Sequence, residues 1–258
     1  MTDPAAGAGA LRPPRWQQVI PRQAVLAAGV VVLIAVISPP VDAEAQRHLF
    51  VETLQFALLA YVVPPLLVLG CPGRLRERLA GNVIGSTGRP TSRMGRRRGG
   101  PVRARSWIMV VIFALVAILW RIPPAVDAVG RHPALVLCEA ASLGLAGIGL
   151  WLELTDSSLA VAAVPGPKKI VIAGIAMWSI WIAAYSLGFS RHVWYPAFAR
   201  GGTSTVTLIN NQEISAAVLF AFAFIVFVPV VFSWLIRWLH DEEGPEPHLH
   251  ALVSRPER

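Results

Sequence analysis

Six long apolar runs divide the sequence, and polar or Pro- and Gly-rich stretches separate them. They cover about residues 23–39, 49–70, 106–122, 134–153, 170–189 and 214–239. Each is roughly 17 to 26 residues long, which suits an α-helix that crosses a bilayer. The pattern therefore predicts an all-α, polytopic membrane protein. Its six-transmembrane-helix bundle would span 23–239, between tails at 1–22 and 240–258.

The composition supports this prediction. Of the 258 residues 55% are hydrophobic and only 15% are charged, and the mean hydropathy is +0.57. A soluble domain of this length needs far more charge to cover its surface. One alternative concerns the first run, because basic residues precede it and Ala43-Glu44-Ala45 resembles a signal-peptidase site. The long tail ahead of the run favours a retained helix over a cleaved signal.

The positive charge lies mainly on one side of the predicted bundle. The net charge is +8, and ten of the 23 basic residues fall between Arg74 and Arg105, in a predicted basic loop at 71–105. The tails and loops on that side carry 18 basic residues, and the opposite side carries five. By the positive-inside rule, both termini are cytoplasmic. Charge confined to one inter-helix loop indicates topology and contact with the lipid bilayer, and no nucleic-acid partner is expected.

Polar side chains collect at the predicted outer ends of three helices. His48 and Glu52 are four residues apart in the second run, and His132 and Glu139 are seven apart in the fourth, so each pair is expected to share a helical face. Imidazole and carboxylate groups can bind metals, and we predict these four residues as a candidate metal site. Further polar residues are expected at the same level: Cys138, His192, Asn211, Gln212 and Glu213.

A structural interpretation of the same residues stays open. The histidines could cap helices at the interface, and the carboxylates could hydrogen-bond neighbouring helices without any ligand. The sequence contains no Gly-rich phosphate loop, no nucleophile elbow and no zinc-protease motif, so no enzymatic activity is expected.

Several segments together resemble a known family. A Ser-Pro-x-x-Asp-like turn precedes the second run, a Pro-Pro-Leu-Leu-x-Leu-Gly motif ends it, and similar motifs mark the fourth and sixth runs. The matching residues are Ser38, Asp42, Gln55, Pro64 to Gly70, His132, Glu139, Ser142, Gly147, Trp151, Tyr195, Pro196, Gln212, Arg237 and Trp238. Over about residues 33–243 the chain resembles the CtaG-type cytochrome c oxidase assembly factors, which are bacterial inner-membrane proteins linked to copper delivery.

The chain departs from that family at four positions. Glu52, Phe56, Val136 and Ala140 stand where the family pattern has histidines. Phenylalanine, valine and alanine cannot bind a metal, and glutamate prefers harder ions than cuprous copper. The resemblance therefore implies copper as the metal, while the replaced histidines favour a chain with no bound cofactor.

Two functions follow from the resemblance. The first is a non-enzymatic assembly or maturation factor for a haem-copper cytochrome c oxidase, located in the bacterial cytoplasmic membrane, with a degenerate metal site. Its partners would be terminal oxidase subunits. The alternative is an accessory or structural subunit of a respiratory or other membrane protein complex that retains the family scaffold. Co-purification at fixed stoichiometry with a mature complex would favour the second.

Overall fold

The computed structural model describes residues 21–73, 75, 100–155, 166–199 and 205–243. The predicted tails at 1–22 and 240–258, and the predicted basic loop at 71–105, lie largely outside the described residues. Within the described ranges the chain forms helices and connecting turns, without a strand. The all-α prediction is therefore confirmed.

Nine α-helices follow one another along the described chain. They are α1 (Arg22–Val36), α2 (Pro39–Ala45), α3 (Leu49–Ala57), α4 (Val63–Gly70), α5 (Gly100–Leu119), α6 (Pro123–Arg131), α7 (Pro133–Leu154), α8 (Gly166–Gly188) and α9 (Thr205–Glu243). A π-helical turn, Leu58–Val62, joins α3 to α4, and a short 3₁₀ helix, Pro196–Phe198, lies between α8 and α9.

Four of these segments are long and apolar enough to cross a membrane without a break: Leu49–Gly70, Ala134–Leu154, Gly166–Gly188 and Thr207–His240. Two further spans arise if α1 with α2, and α5 with α6, are each counted as one bent span. The helices of these pairs are bent by 56° and 67°. The described chain thus has four to six candidate spans, which agrees with the predicted six-span bundle.

Prolines explain both bends. Pro39 opens α2 and Pro123 opens α6, and the residue before each, Ser38 or Ile122, has an extended backbone. Proline lacks the N–H that would continue the preceding helix, and it disfavours a helical conformation in the residue before it. Each apolar run therefore ends as a regular helix just before its proline. A short helix then continues at an angle.

Two adjacent prolines, Pro64 and Pro65, account for the π-helical turn. In a regular α-helix the amide groups at positions 64 and 65 would donate to the carbonyls of Ala60 and Tyr61, but Pro64 and Pro65 have no N–H. The helical ladder widens at this point into the turn Leu58–Val62. The segment remains one membrane-length helix, which the apolar run at 49–70 predicted.

The core of the bundle is a cluster of aromatic rings around Tyr61. The Tyr61 ring contacts Phe113 of α5 and Phe227 of α9 edge-on, with centroid distances of 6.3 and 6.2 Å. Trp151 of α7 stacks on Phe227 at 6.2 Å. Edge-to-face and offset contacts are the favourable geometries for aromatic pairs. The cluster thereby fixes the π-helical turn against three other helices.

Each end of the bundle contains an ion pair whose carboxylate is buried. At one end Arg105 of α5 approaches Glu153 of α7, with 2.7 Å between Nη2 and Oε1, and Ser106 Oγ donates to Glu153 Oε2 at 2.7 Å. At the other end Glu52 of α3 pairs with Arg121, which follows α5. We call the two ends of the bundle the Glu153 end and the Glu52 end, after these carboxylates. The charge distribution predicts that the Glu52 end faces outward.

Candidate functional site at the Glu52 end

Glu52 lies in the first turn of α3 and is buried, with 8% of its surface exposed. Arg121 Nη1 donates to both of its carboxylate oxygens, at 2.9 Å to Oε1 and 2.8 Å to Oε2. A buried carboxylate is tolerated only when a counter-charge and hydrogen bonds replace its lost hydration. Arg121 therefore supplies the counter-charge and two of the hydrogen bonds of this buried carboxylate.

Arg121 lies in the turn between α5 and α6 and is 6% exposed. Its Nη2 donates to Thr53 Oγ1 at 3.2 Å. Its Cζ atom is 5.1 Å from the centroid of the Phe56 ring and 5.6 Å from that of Tyr195, which are cation–π distances. One guanidinium thus connects the start of the second predicted span, the end of the third and the connection before the sixth.

Tyr195 holds the backbone of Arg121 in place. Its hydroxyl donates to the Arg121 carbonyl oxygen at 2.7 Å, across 74 residues of sequence. Burial raises the pKa of the Tyr195 phenol, because removal from water disfavours the phenolate. The phenol therefore keeps its proton at neutral pH and remains a hydrogen-bond donor.

Glu139 of α7 brings a second carboxylate to the same place. It is 6% exposed and interacts electrostatically with Glu52, Arg121 and Asp42. Two carboxyl groups therefore lie in the electrostatic field of one guanidinium. We call Glu52, Thr53, Phe56, Arg121, Glu139 and Tyr195 the charged cluster.

Gln212 forms a separate polar contact beside the cluster. It is 1% exposed, and its side-chain amide donates to the carbonyl oxygens of Leu187 at 2.9 Å and His192 at 3.2 Å. Its Oε1 accepts from the Trp194 amide at 3.0 Å. This side chain therefore holds the connection that carries Trp194 and Tyr195 against the start of α9.

The predicted histidines do not join the charged cluster. His48 and His132 are the N-caps of α3 and α7, with extended φ, ψ values of −127°, 115° and −129°, 99°. Both are exposed. The helical spacing rule that paired them with Glu52 and Glu139 applies only to residues with helical backbone. His48 Nε2 instead lies 3.8 Å from Glu44 Oε2.

The other predicted polar residues also separate. Cys138 is exposed with a free thiol, and His192 and Glu213 are exposed. Asn211 is partly buried, and its backbone carbonyl accepts from Ser215 Oγ at 2.7 Å. Of the nine predicted outer-face residues, Glu52 and Glu139 are the two that belong to the charged cluster.

The donor set in the described part of the chain does not fit copper. No three His, Cys, Asp or Glu side chains there lie together in a group that could hold a metal ion. Both oxygens of Glu52 accept hydrogen bonds from Arg121, and a guanidinium repels a cation. Glu52 and Phe56, which stand where the resembled family has histidines, both contact this guanidinium. A metal site on His48, Glu52, His132 and Glu139 stays a prediction without geometric support.

Arg121 is the residue that the sequence patterns did not single out. In the charge distribution, Arg121 was one of the five basic residues assigned to the outer side. A usable signal exists, however, because Arg121 closes an otherwise uncharged apolar run, between Trp120 and Ile122. An isolated charge at the end of a membrane span needs a partner of opposite charge. Glu52 lies at the end of the preceding span, on the same predicted side of the membrane.

Comparison with known protein families gives a match over most of the chain. A family model described as cytochrome c oxidase caa3 assembly factor (Caa3_CtaG) matches residues 5–241. The matched range includes every residue of the charged cluster and of the Glu153 end. No curated protein and no solved structure matches the chain.

Proposed function

Because the chain belongs to the cytochrome c oxidase caa3 assembly factor family, we propose that it is a non-catalytic assembly factor for a haem-copper cytochrome c oxidase. The motifs in the sequence predicted this family, and the family match confirms it. The observation that carries the proposal is the extent of the match, which covers residues 5–241 of a 258-residue chain. We place the protein in the bacterial cytoplasmic membrane, where such an oxidase matures.

The charged cluster supports a role in holding a partner. Its ion pair joins α3 to the turn after α5, and Tyr195 adds the connection before α9. Such cross-links keep the predicted outer end in one conformation, which suits a surface that receives an oxidase subunit. Since the donor set in the described part of the chain does not fit copper, the role that we propose is binding an immature oxidase subunit.

A deletion strain of the source organism tests this proposal. We expect membranes of the strain to lose most of their cytochrome c oxidase activity and the corresponding haem absorbance, and a plasmid-borne wild-type chain to restore both. Oxidase transcript levels serve as the control, because an assembly defect leaves them unchanged. Full oxidase activity in the deletion strain would overturn the proposal.

Affinity purification separates the two functions that the sequence left open. An assembly factor is expected to co-purify with immature oxidase subunits in substoichiometric amounts. A constant ratio to the mature, active oxidase would instead identify an accessory subunit.

A further inference from the structure

An open groove of about 290 Å³ lies between α8 and α9 at the Glu52 end. Small residues line it from both helices: Ala184, Gly188, Ala216 and Ala217. The two helices approach closely here, since a Cβ atom at Gly188 would lie 3.1 Å from Ala216 Cβ. Small side chains also allow the backbone of a further membrane helix to come near. We call the surface lined by these residues the α8–α9 groove.

The α8–α9 groove faces away from the rest of the bundle. In the apolar part of each span, only 33% of α8 and 28% of α9 is buried in the described structure, against 67% of Leu49–Gly70. Among the described residues, α8 and α9 alone line the groove. It therefore opens toward the bilayer, where a membrane helix of another protein can reach it.

Exposed aromatic rings form part of the groove wall. Tyr185 and Phe189 are 45% and 82% exposed, and their rings stack at a centroid distance of 5.8 Å. Tyr185 also contacts Phe220 edge-on at 5.9 Å. Contacts of this kind fix the rings before a partner arrives. Aromatic side chains are enriched at protein interfaces, so this wall has the composition of a protein-binding surface.

One carboxylate lines this otherwise uncharged groove. Glu213 is exposed and lies within the candidate span Thr207–His240. It forms no ion pair with any residue that the structure describes. A partner that covers the groove removes water from this carboxylate, and a carboxylate without water needs a positive charge beside it. The complementary partner therefore carries a basic side chain at the depth of Glu213.

A second copy of the chain lacks this complementary charge. Two copies related by a two-fold axis along the membrane normal present the same surface to each other. Both Glu213 carboxylates would then lie at one depth and repel each other. A membrane helix with a lysine or arginine at that depth has the charge that Glu213 requires.

We propose that the α8–α9 groove binds one transmembrane helix of the immature oxidase subunit. This helix would place small or apolar side chains against Ala184, Gly188 and Ala217, and a lysine or arginine beside Glu213. The inference rests on the proposed assembly function and adds to it the binding surface and the chemistry of the partner.

Photo-crosslinking in cells of the source organism tests the inference. The photoreactive amino acid p-benzoylphenylalanine replaces Phe189 in the full-length chain, so one exposed aromatic side chain takes the place of another. The control position is Phe50, which is 37% exposed on α3 at the same end. We expect ultraviolet light to join the Phe189 probe to an oxidase subunit, through a membrane helix that carries a nearby lysine or arginine. The Phe50 probe should give little of this product.

Three results of this experiment would overturn the inference. The first is a Phe189 probe that joins only to lipid, and the second is one that joins only to another copy of the chain. The third is an equal yield of the oxidase product from both probe positions. Because the probe chain keeps Glu213 and all the small residues of the groove, none of these results depends on a disruptive variant.

Charge reversal in the Phe189-probe chain tests the role of Glu213. Glu213→Lys places like charges together, so we expect about tenfold less of the oxidase product, which corresponds to about 1.4 kcal/mol. Glu44→Lys is the matched control, because Glu44 is an exposed carboxylate outside the groove, and it should leave the yield unchanged. Replacing the basic residue of the mapped oxidase helix with glutamate should restore the product of Glu213→Lys. An undiminished yield with Glu213→Lys would overturn the inference.

The deletion strain separates this inference from the assembly function. If the strain loses oxidase activity while the Phe189 probe gives no oxidase product, the assembly function stands and the groove assignment is wrong. Full oxidase activity in the deletion strain would overturn the assembly function, whatever product the probe gives.

Discussion

Replacing Arg121 with methionine should lower the free energy of unfolding by about 3–5 kcal/mol, because it leaves the buried Glu52 carboxylate without a counter-charge. The loss is large because Glu52 is 8% exposed and takes both of its strongest hydrogen bonds from Arg121. Equilibrium unfolding in mixed SDS and detergent micelles measures the change.

The matched control is another Arg–Glu pair at the same end. Arg47 and Glu44 are joined at 3.1 Å, but their side chains are 63% and 51% exposed. Exposed ion pairs contribute about 0–1 kcal/mol, so Arg47→Met should change stability little. Losses of similar size in Arg121→Met and Arg47→Met would contradict the structural role of the buried pair.

A double variant separates the charge from the packing. Glu52→Leu with Arg121→Met removes both charges and fills similar volumes with apolar atoms. Buried ion pairs replaced in this way often leave stability unchanged. We therefore expect the double variant to recover most of what Arg121→Met loses. A double variant that loses as much as the two single variants together would show that the residues act independently.

The second large effect is expected at Gly147 in α7. A Cβ atom there would lie 2.5 Å from Pro64 Cγ and 2.9 Å from Pro64 Cβ. The proline ring is rigid, and Pro64 lies beside the π-helical turn, so the clash cannot be relieved by a rotamer change. Overfilling a packed contact of this kind costs about 1–3 kcal/mol. Gly147→Ala should destabilise the chain by at least that amount.

Gly144, one helical turn earlier, is the matched control. A Cβ atom at Gly144 meets nothing within 4 Å among the described residues. Alanine is favoured over glycine inside a helix by about 0.5–1 kcal/mol, so Gly144→Ala should be neutral or stabilising. The same unfolding assay compares the two variants. Equal stability of both would mean that α7 and the Pro64 segment do not approach as closely as described.

The membrane-spanning helices were predictable because length and apolarity alone define them. The run at 49–70 appears as one helix, and the proline pair that widens it into a π-helical turn was visible as a motif. The short helices α2 and α6 were not predicted, because the sequence patterns indicated connections between membrane spans in these segments. Their prolines start a new helix as readily as they end the previous one.

The candidate site was predictable only in part. Glu52 and Glu139 were selected from the sequence because an unpaired carboxylate near a membrane span costs free energy. The structure shows that both side chains are buried. Arg121 was missed as the partner of Glu52 because 69 residues separate the two, and no local spacing rule links them. Helical spacing linked the two histidines to the carboxylates, but each histidine is the N-cap of its helix and has an extended backbone, so helical periodicity does not apply to it.

The central claim is that the chain supports oxidase assembly through the charged cluster and without the two predicted histidines. Complementation of the deletion strain tests it with the wild type, a His48→Ala/His132→Ala double variant and Arg121→Met. Immunoblots of the membranes control for the amount of each chain. We predict full oxidase activity with the histidine variant and, per molecule of chain, a strong loss with Arg121→Met. Lost activity in the histidine variant at wild-type membrane levels, with Arg121→Met fully active, would contradict the claim.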